Sequence, residues 1–380
     1  TASENVAVGM QALTTVTTSG NNTAVGRMAL KLNTAANNTA VGHQTLLNNS
    51  TGTNNTAVGK NALDSNTTAD NNTAVGYDAL QANSTGASLT AVGKDALAAN
   101  TTGDNNIGMG RDAGQSITTG SNNIAIGVEA LESVSTTNMN VAIGKGAGAA
   151  CTGAENVFVG HEAGNDNTTA EYNTFIGNKA GTKNTTGTQN TALGAMALDA
   201  NTTANGNTAI GYDCLTANTT GANNTAIGTF ALDANTTASN NVAVGKDALT
   251  ANTTGSENVA VGLDCLQANT TASDNVGVGH SALEATTTGT TNTAIGKNAG
   301  SANTTGIGNV FLGQASGTTG SPGGNNTTGN FSIFLGDENI GTANIQVDWT
   351  VASDKRDKTD VTPMEMGLDF VNKLEPVTYK

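Results

Sequence analysis

Apolar residues recur along this chain in short groups at one fixed spacing, and each group ends at a glycine, as in the string NTAVG at residues 22–26. Nineteen such anchor glycines run from Gly9 to Gly313. Sixteen of the eighteen intervals between them are 17 residues long, and the two that end at Gly42 and Gly160 are 16 residues long. So strict a period indicates one structural unit per repeat, as in solenoid proteins.

The residues before each anchor glycine predict a short β-strand. The residue directly before the glycine is aliphatic or, at Met109, a thioether, and the residue three before it is always β-branched. Between them lies a small residue, usually Ala, or Phe at Phe158, Phe175 and Phe311. Side chains alternate along a strand, so the β-branched and aliphatic residues share one face and Ala or Phe occupies the other. Both faces are apolar and each needs its own covering, and we expect neighbouring copies of the chain to cover the Ala face.

Two further features complete the repeat. The positions three and four after the anchor glycine read Ala-Leu in most units and Ala-Gly in others, such as Ala163-Gly164, which we interpret as a return strand. Asn lies four before the glycine in eighteen of nineteen units, with Leu89 as the exception, and a second Asn, such as Asn66, lies ten before it. Asn tolerates turns, and its amides bond to their copies when coils stack at roughly 4.8 Å. We therefore predict two Asn ladders along a rod of roughly 85 to 90 Å.

The rhythm changes after Gly313. A Gly-rich insertion precedes one last strand-like string, which ends at Gly336, and the apolar residues of NIQVDWTVA, including Trp349, then fall on one face of a predicted cap or transition strand. The string that follows carries a helix-start signature around Pro363. We therefore divide the chain into a β-roll repeat shaft at 1–313, a terminal coil with cap or transition strands at 314–352, and a segment of different fold at 353–380.

Composition and charge exclude several classes of protein. The 380 residues include 48 Gly, and only 3% are aromatic, which argues against an ordinary globular core and a helical bundle. The net charge of −15 disfavours nucleic acid and anionic membrane surfaces as partners. No apolar run approaches the roughly 18 residues that span a bilayer, so we expect no membrane insertion. Because the chain opens at Thr1 and stops within the last segment, we expect a piece of a longer protein.

The repeats offer little candidate chemistry. Cys214 and Cys265 occupy the same repeat position as the Ala three after the anchor glycine, three coils apart. At roughly 14 Å they cannot form a disulfide, so we interpret them as small buried substitutes for Ala. Cys151 is interpreted as a lone thiol in a turn. The three histidines lie on separate coils without zinc-ligand spacing, and the carboxylates are scattered over a predicted solvated face. We predict no cofactor and no metal.

The strings NNTAVGKNAL, NNTAIGTFAL and NVAVGKDAL resemble the haemagglutinin-type head repeats of trimeric autotransporter adhesins, although those repeats are shorter. The resemblance covers roughly residues 5–313. It implies a left-handed parallel β-roll that is wound as a homotrimer.

The string SDKRDKTDVTPMEMGLDFVNKLEPVTYK at 353–380 resembles the opening of the endosialidase-type intramolecular chaperone of phage tail spikes and fibres. The resemblance implies that Ser353 acts as a nucleophile and Lys358 as its base, with a self-cleavage between Ala352 and Ser353 after the trimer has folded. A serine hydroxyl needs such a base, and a lysine can serve when burial lowers its pKa. Asp357 stands where that family more often has an apolar residue, and its carboxylate favours the charged ammonium of Lys358.

The predicted fold class is all-β: a left-handed parallel β-roll or solenoid of about nineteen 17-residue coils, homotrimeric, followed by the start of a small α+β chaperone domain. We expect the extracellular shaft of a phage tail fibre, a structural and adhesive protein with no enzymatic activity apart from self-cleavage. Its expected partners are further copies of itself, other tail proteins and a host cell-surface receptor of glycan type. The alternative is the head of a bacterial trimeric autotransporter adhesin. An ice-binding solenoid and a glycan depolymerase are further alternatives.

Overall fold

A computed structural model describes residues 3–340, which fold as twenty three-residue β-strands joined by turns and contain no helix. The strands are β1 (Val6–Val8), β2 (Thr23–Val25), β3 (Thr39–Val41), β4 (Thr56–Val58), β5 (Thr73–Val75), β6 (Thr90–Val92), β7 (Ile107–Met109), β8 (Ile124–Ile126), β9 (Val141–Ile143), β10 (Val157–Val159), β11 (Thr174–Ile176), β12 (Thr191–Leu193), β13 (Thr208–Ile210), β14 (Thr225–Ile227), β15 (Val242–Val244), β16 (Val259–Val261), β17 (Val276–Val278), β18 (Thr293–Ile295), β19 (Val310–Leu312) and β20 (Ile333–Leu335).

Every strand pairs in parallel with the strands of the preceding and following coils, so that all twenty form one sheet. The register places equivalent repeat positions side by side, as in β14 and β15, where Thr225 pairs with Val242, Ala226 with Ala243, and so on along the strand. At a strand spacing of roughly 4.8 Å the sheet is roughly 90 Å long. The predicted all-β parallel solenoid with 17-residue coils is confirmed. A twentieth coil ends at Gly336, as the strand-like string before that glycine predicts.

The interior of each coil is lined by the middle residue of the strand. In β14 this residue, Ala226, is fully buried, and it faces the equally buried Ala231 and Leu232 of the same coil. The outer residues of the same strand point away from the interior, and Ile227 is exposed. The prediction that neighbouring copies cover the Ala face is therefore wrong. Small side chains fill the narrow space between the two walls of one coil, and the β-branched and aliphatic face is the one left outside.

The wall opposite the strands is a run of turns and not the predicted return strand. The second and fourth residues after the anchor glycine have left-handed φ angles, 56° at Asp247 and 53° at Leu249. The backbone nevertheless bonds from coil to coil. The N–H of Leu232 donates to the carbonyl of Ala248 in the next coil at 3.0 Å, and the N–H of Asp247 donates to the carbonyl of Thr229 in the preceding coil at 3.0 Å. Residues with positive φ thus alternate with residues of negative φ along this wall. This alternation directs the buried N–H and C=O groups toward the neighbouring coils, where they are hydrogen-bonded without β-strand geometry.

Two combinations of side chains fill the coil. Where the strand carries Ala, the fourth residue after the anchor glycine is usually Leu, and where β10, β11 and β19 carry Phe, that residue is Gly. A Cβ on Gly164 would lie 2.3 Å from Cε1 of Phe158, and a Cβ on Gly317 would lie equally close to Phe311. The same pairing joins Phe175 to Gly181. A large side chain on the strand is therefore matched by a glycine on the return wall, so that the distance between the strand and the return wall stays the same.

The anchor glycine is required by a close approach between coils. Gly228 has a φ of 134°, a conformation that side-chain-bearing residues rarely adopt. A Cβ at this position would lie 2.5 Å from the carbonyl oxygen of Gly245 in the next coil. The strict recurrence of glycine therefore follows from backbone packing at the corner after each strand.

Two ladders of buried asparagines fix the corners before each strand. In the first, the N–H of Asn258 donates to Oδ1 of Asn241 in the preceding coil at 3.0 Å, and Nδ2 of Asn241 donates to the carbonyl of Gly255 at 3.0 Å. In the second, Nδ2 of Asn252 donates to Oδ1 of Asn235 at 3.1 Å and to the same Gly255 carbonyl at 2.9 Å. All four asparagines are fully buried. Both predicted ladders are confirmed.

Changes in coil length leave the strand register intact. The 16-residue interval before Gly42 still pairs Thr23 with Thr39, and the 23-residue interval before Gly336 still pairs Val310 with Ile333. The differences lie at the corners. The shorter coil has one residue fewer between its ladder positions Asn33 and Asn38, and the longer coil has its extra residues between the return wall and Asn326.

Replacing Asn241 by alanine should destabilise the solenoid by about 1 to 3 kcal/mol, because the buried N–H of Asn258 loses its acceptor. The shift is measured as the midpoint of urea unfolding followed by circular dichroism. Asn178→Ala is the matched control, since Asn178 is exposed and its side chain makes no hydrogen bond within residues 3–340. Equal midpoints for both variants would contradict a stabilising role of the ladder.

Candidate assembly surface

The residues predicted to cleave the chain, Ser353 and Lys358, lie outside the described residues, as do the scissile Ala352–Ser353 bond and the predicted strand around Trp349. The candidate site that the structure describes is instead a surface, and it arises from the outward face of the strands.

The residues directly before the anchor glycines form one continuous apolar row along the solenoid, which we call the aliphatic stripe. Its side chains are partly to well exposed, for example 37% at Val75 and 46% at Leu193. It consists of Val8, Val25, Val41, Val58, Val75, Val92, Met109, Ile126, Ile143, Val159, Ile176, Leu193, Ile210, Ile227, Val244, Val261, Val278, Ile295, Leu312 and Leu335. A contiguous exposed apolar strip of this length is typical of an interaction surface, because soluble monomers seldom leave one uncovered.

Charged residues border the stripe on one side. Of the ten Lys and Arg residues within 3–340, seven directly follow an anchor glycine, and so do all three histidines. The next position is often acidic, so that Lys94 contacts Asp95 at 2.6 Å. The hydrogen bond to Asp95 raises the pKa of Lys94. Such exposed pairs contribute little to stability, and they chiefly keep this border polar and nearly neutral.

The NTT corner presents a different surface. Thr237 and its equivalents project into solvent, whereas the neighbouring Thr236 is half-buried and its hydroxyl donates to the carbonyl of Thr253 in the next coil at 3.2 Å. Only one of the two threonine rows is therefore free to contact a partner. The flat double rows that an ice-binding solenoid needs are not formed in the described part of the chain.

The three cysteines are buried and free of disulfides. Cys214 and Cys265 take the place of the interior Ala, as predicted, and the thiol of Cys214 donates to the carbonyl of Ala226 at 3.1 Å. Cys151 lies at the second Asn ladder, where Nδ2 of Asn156 contacts its sulfur at 3.8 Å. Burial raises the pKa of each thiol from 9.0 to about 12. All three are therefore inert packing residues in the folded state.

Within residues 3–340, no cluster of three or more His, Cys, Asp or Glu side chains is placed to hold a metal ion. Nor does that range contain a helix with the length and apolarity needed to cross a membrane.

The fold defines a parallel β-solenoid repeat protein. Residues 353–380 match the model of the protein family described as chaperone of endosialidase, and these are the residues whose motif order indicates that family in the sequence. No curated protein and no solved structure matches the chain. The match is confined to these C-terminal residues and indicates a chaperone-type segment after the repeats.

The native thiols should react with iodoacetamide at pH 8 at least about a hundredfold more slowly than those of the urea-unfolded chain, because the thiolate is the reactive form.

The free energy of unfolding should fall as the pH rises from 9 to 12. Above pH 9.0 the thiols of the unfolded chain ionise, whereas those of the folded chain stay protonated until about pH 12.

Unfolding midpoints measured between pH 8 and pH 11 test this dependence. The matched control replaces each cysteine by the residue that most other coils carry there, in the variant Cys151→Asn, Cys214→Ala and Cys265→Ala. An equal alkaline loss in that variant would assign the effect to other groups.

Proposed function

We propose that this chain is the shaft of a phage tail fibre, which assembles as a homotrimer and takes part in attachment to the host surface. The observation that carries the proposal is the aliphatic stripe, which continues through all twenty coils of a solenoid whose interior is already filled. The match of residues 353–380 to an endosialidase-type chaperone supports the tail-fibre setting. The shaft is proposed to be extracellular, within the virion tail, and to have no enzymatic activity of its own.

A second and third copy of the chain fit the stripe better than an unrelated partner. The stripe repeats at the strand spacing, so a copy aligned in parallel presents an apolar side chain at every level. Burial of these side chains supplies the driving force for association. Three copies around one axis bring the three stripes together in a closed assembly, whereas an open arrangement would leave stripes exposed.

The proposed role is mechanical and recognitional. Each coil is hydrogen-bonded to both neighbours through the strands, the return wall and the Asn ladders, which favours a stiff rod that holds a receptor-binding part away from the particle. Other tail proteins are the proposed partners at the ends of the rod, and a host surface glycan is the proposed receptor. The net charge of −15 disfavours nucleic acid as a partner.

Self-cleavage is part of the same proposal. Lys358 would remove the proton of the Ser353 hydroxyl, and Oγ would then attack the carbonyl carbon of Ala352. The C–N bond between Ala352 and Ser353 would break as the serine nitrogen takes up a proton, and water would hydrolyse the resulting ester, which releases the shaft from the chaperone. The head of a bacterial trimeric autotransporter adhesin stays the alternative, because the NTAVG-type strings resemble the repeats of that family. The sequence beyond residue 380 distinguishes the two, since a completed chaperone domain supports the phage fibre and a coiled-coil stalk supports the adhesin.

The molar mass in solution tests the assembly. Light scattering should give three times the chain mass of 37.7 kDa, together with a β-rich circular dichroism spectrum. A folded monomer would contradict the proposed fibre.

The stripe is tested by replacing Ile210, Ile227 and Val244 together by aspartate. Three desolvated carboxylates per chain should shift the mass toward the monomer or lower the unfolding midpoint of the trimer. The control places aspartate at three exposed threonines of the NTT corner in the same part of the rod, Thr220, Thr237 and Thr254. An unchanged trimer in the stripe variant would assign assembly to another surface.

Cleavage is tested in a chain that carries a complete chaperone domain. The wild-type product should end at Ala352 by mass spectrometry, and Ser353→Ala and Lys358→Ala should each abolish cleavage while the trimer still forms. Thr350→Ala is the control for a nearby hydroxyl and should be cleaved normally. Cleavage of the Ser353→Ala variant at the same bond would refute the assigned nucleophile.

A further inference from the structure

Two aromatic side chains meet on the surface of the solenoid at a place where the repeat is otherwise polar. Tyr212 directly follows an anchor glycine and is 47% exposed, and Phe230 is the second residue after the next anchor glycine and is half-buried. The second position usually carries a polar residue, and Phe230 is its one aromatic in the nineteen repeats. Phe230 does not enter the core of its coil, which is filled by Ala226 and Leu232. Packing within the coil therefore does not explain it.

The pair is held in a fixed arrangement. The ring centroids of Tyr212 and Phe230 lie 5.8 Å apart with an interplanar angle of 80°. The N–H of Phe230 donates to the carbonyl of Tyr212 at 3.1 Å. The carbonyl of Phe230 accepts the hydroxyl of Thr250, in the following coil, at 2.8 Å. The backbone beneath the rings is thus fixed from both sides, which reduces the entropy that a ligand would have to overcome on binding.

Two carboxylates lie beside the pair along the chain. Asp213 follows Tyr212, and the N–H of Asp233 donates to the carbonyl of Phe230 at 3.4 Å. Burial raises the pKa of Asp233, and the nearby carboxylate of Asp213 raises it further. Neither carboxylate has a Lys or Arg partner among the ion pairs of residues 3–340. The carboxylate of Asp213 accepts a hydrogen bond from the hydroxyl of Tyr212, which raises the pKa of that hydroxyl, and both carboxylates keep further lone pairs that can accept hydrogen bonds from a ligand.

We propose that Tyr212, Phe230, Asp213 and Asp233 form a docking site for a non-acidic sugar of a host surface polysaccharide. The electron-rich faces of the rings attract the polarised C–H groups of a pyranose, and the carboxylates accept its hydroxyl or ammonium hydrogens. Acidic sugars are disfavoured by the same two carboxylates and by the net charge of −15. The site rests on the proposed function, since it is useful only on a fibre displayed at a host surface, and it places recognition on the shaft itself.

The test measures binding of the full chain to an array of non-acidic bacterial-surface oligosaccharides, with hexamers of glucosamine and N-acetylglucosamine and a sialic acid oligomer as defined probes. The wild type should bind non-acidic sugars and not the sialic acid oligomer. Tyr212→Ala, Phe230→Ala and Asp233→Asn should each weaken that binding by about tenfold or more. Tyr77→Ala is the matched control, because Tyr77 holds the same repeat position with a similar exposure of 44% and should leave binding unchanged.

Molar mass is measured on the same samples. A trimeric wild type that binds no sugar, or that prefers sialic acid, overturns the docking site and leaves the shaft function standing. Dissociation of the trimer by Tyr212→Ala or Phe230→Ala would make the rings part of the assembly surface and would also overturn the site. A monomeric wild type contradicts the proposed function itself.

Discussion

The register between neighbouring coils governs how this solenoid is built. Each coil can satisfy its buried backbone groups only if the equivalent groups of its neighbours lie at the strand spacing of roughly 4.8 Å. The carbonyl of Gly245 approaches Gly228 so closely that no Cβ fits between them, and Oδ1 of Asn241 accepts the N–H of Asn258 at 3.0 Å. A strand that slips by one position would lose both arrangements, which explains why the strand register is kept and why sixteen of the eighteen intervals have the same length.

The same constraint shows where variation is tolerated. Inside the coil, a large residue on the strand can be combined with a glycine on the return wall, as Phe158 is with Gly164, because the two together fill the same space. At the corners of a coil, one residue can be missing or several can be added, because the strands of neighbouring coils still pair in register. A leucine can even replace a ladder asparagine, since Leu89 still donates its N–H to Oδ1 of Asn72 at 2.9 Å.

Because the interior is complete within one chain, the outward positions are free to serve assembly and recognition. The aliphatic stripe gives one side of the solenoid a uniform apolar character, which suits a partner with the same period. The NTT corner gives another side exposed hydroxyls. Against this uniform background the pair of Tyr212 and Phe230 is a local exception, and local exceptions in a repeat are where recognition of a particular ligand can be encoded.

The period, the strand positions and both Asn ladders could be predicted from the sequence, because each depends on residues that recur at a fixed distance along the chain. The sequence also predicted that Cys214 and Cys265 are interior residues, since they occupy the same repeat position as Ala. It showed two apolar strand faces but not which one is buried. The buried face became clear in the folded coil, where the narrow space between the strand and the return wall holds Ala226 and leaves Ile227 outside. The return wall was equally beyond sequence reasoning: Leu249 adopts a left-handed φ of 53° that leucine disfavours when isolated, and hydrogen bonds to the neighbouring coils hold it there.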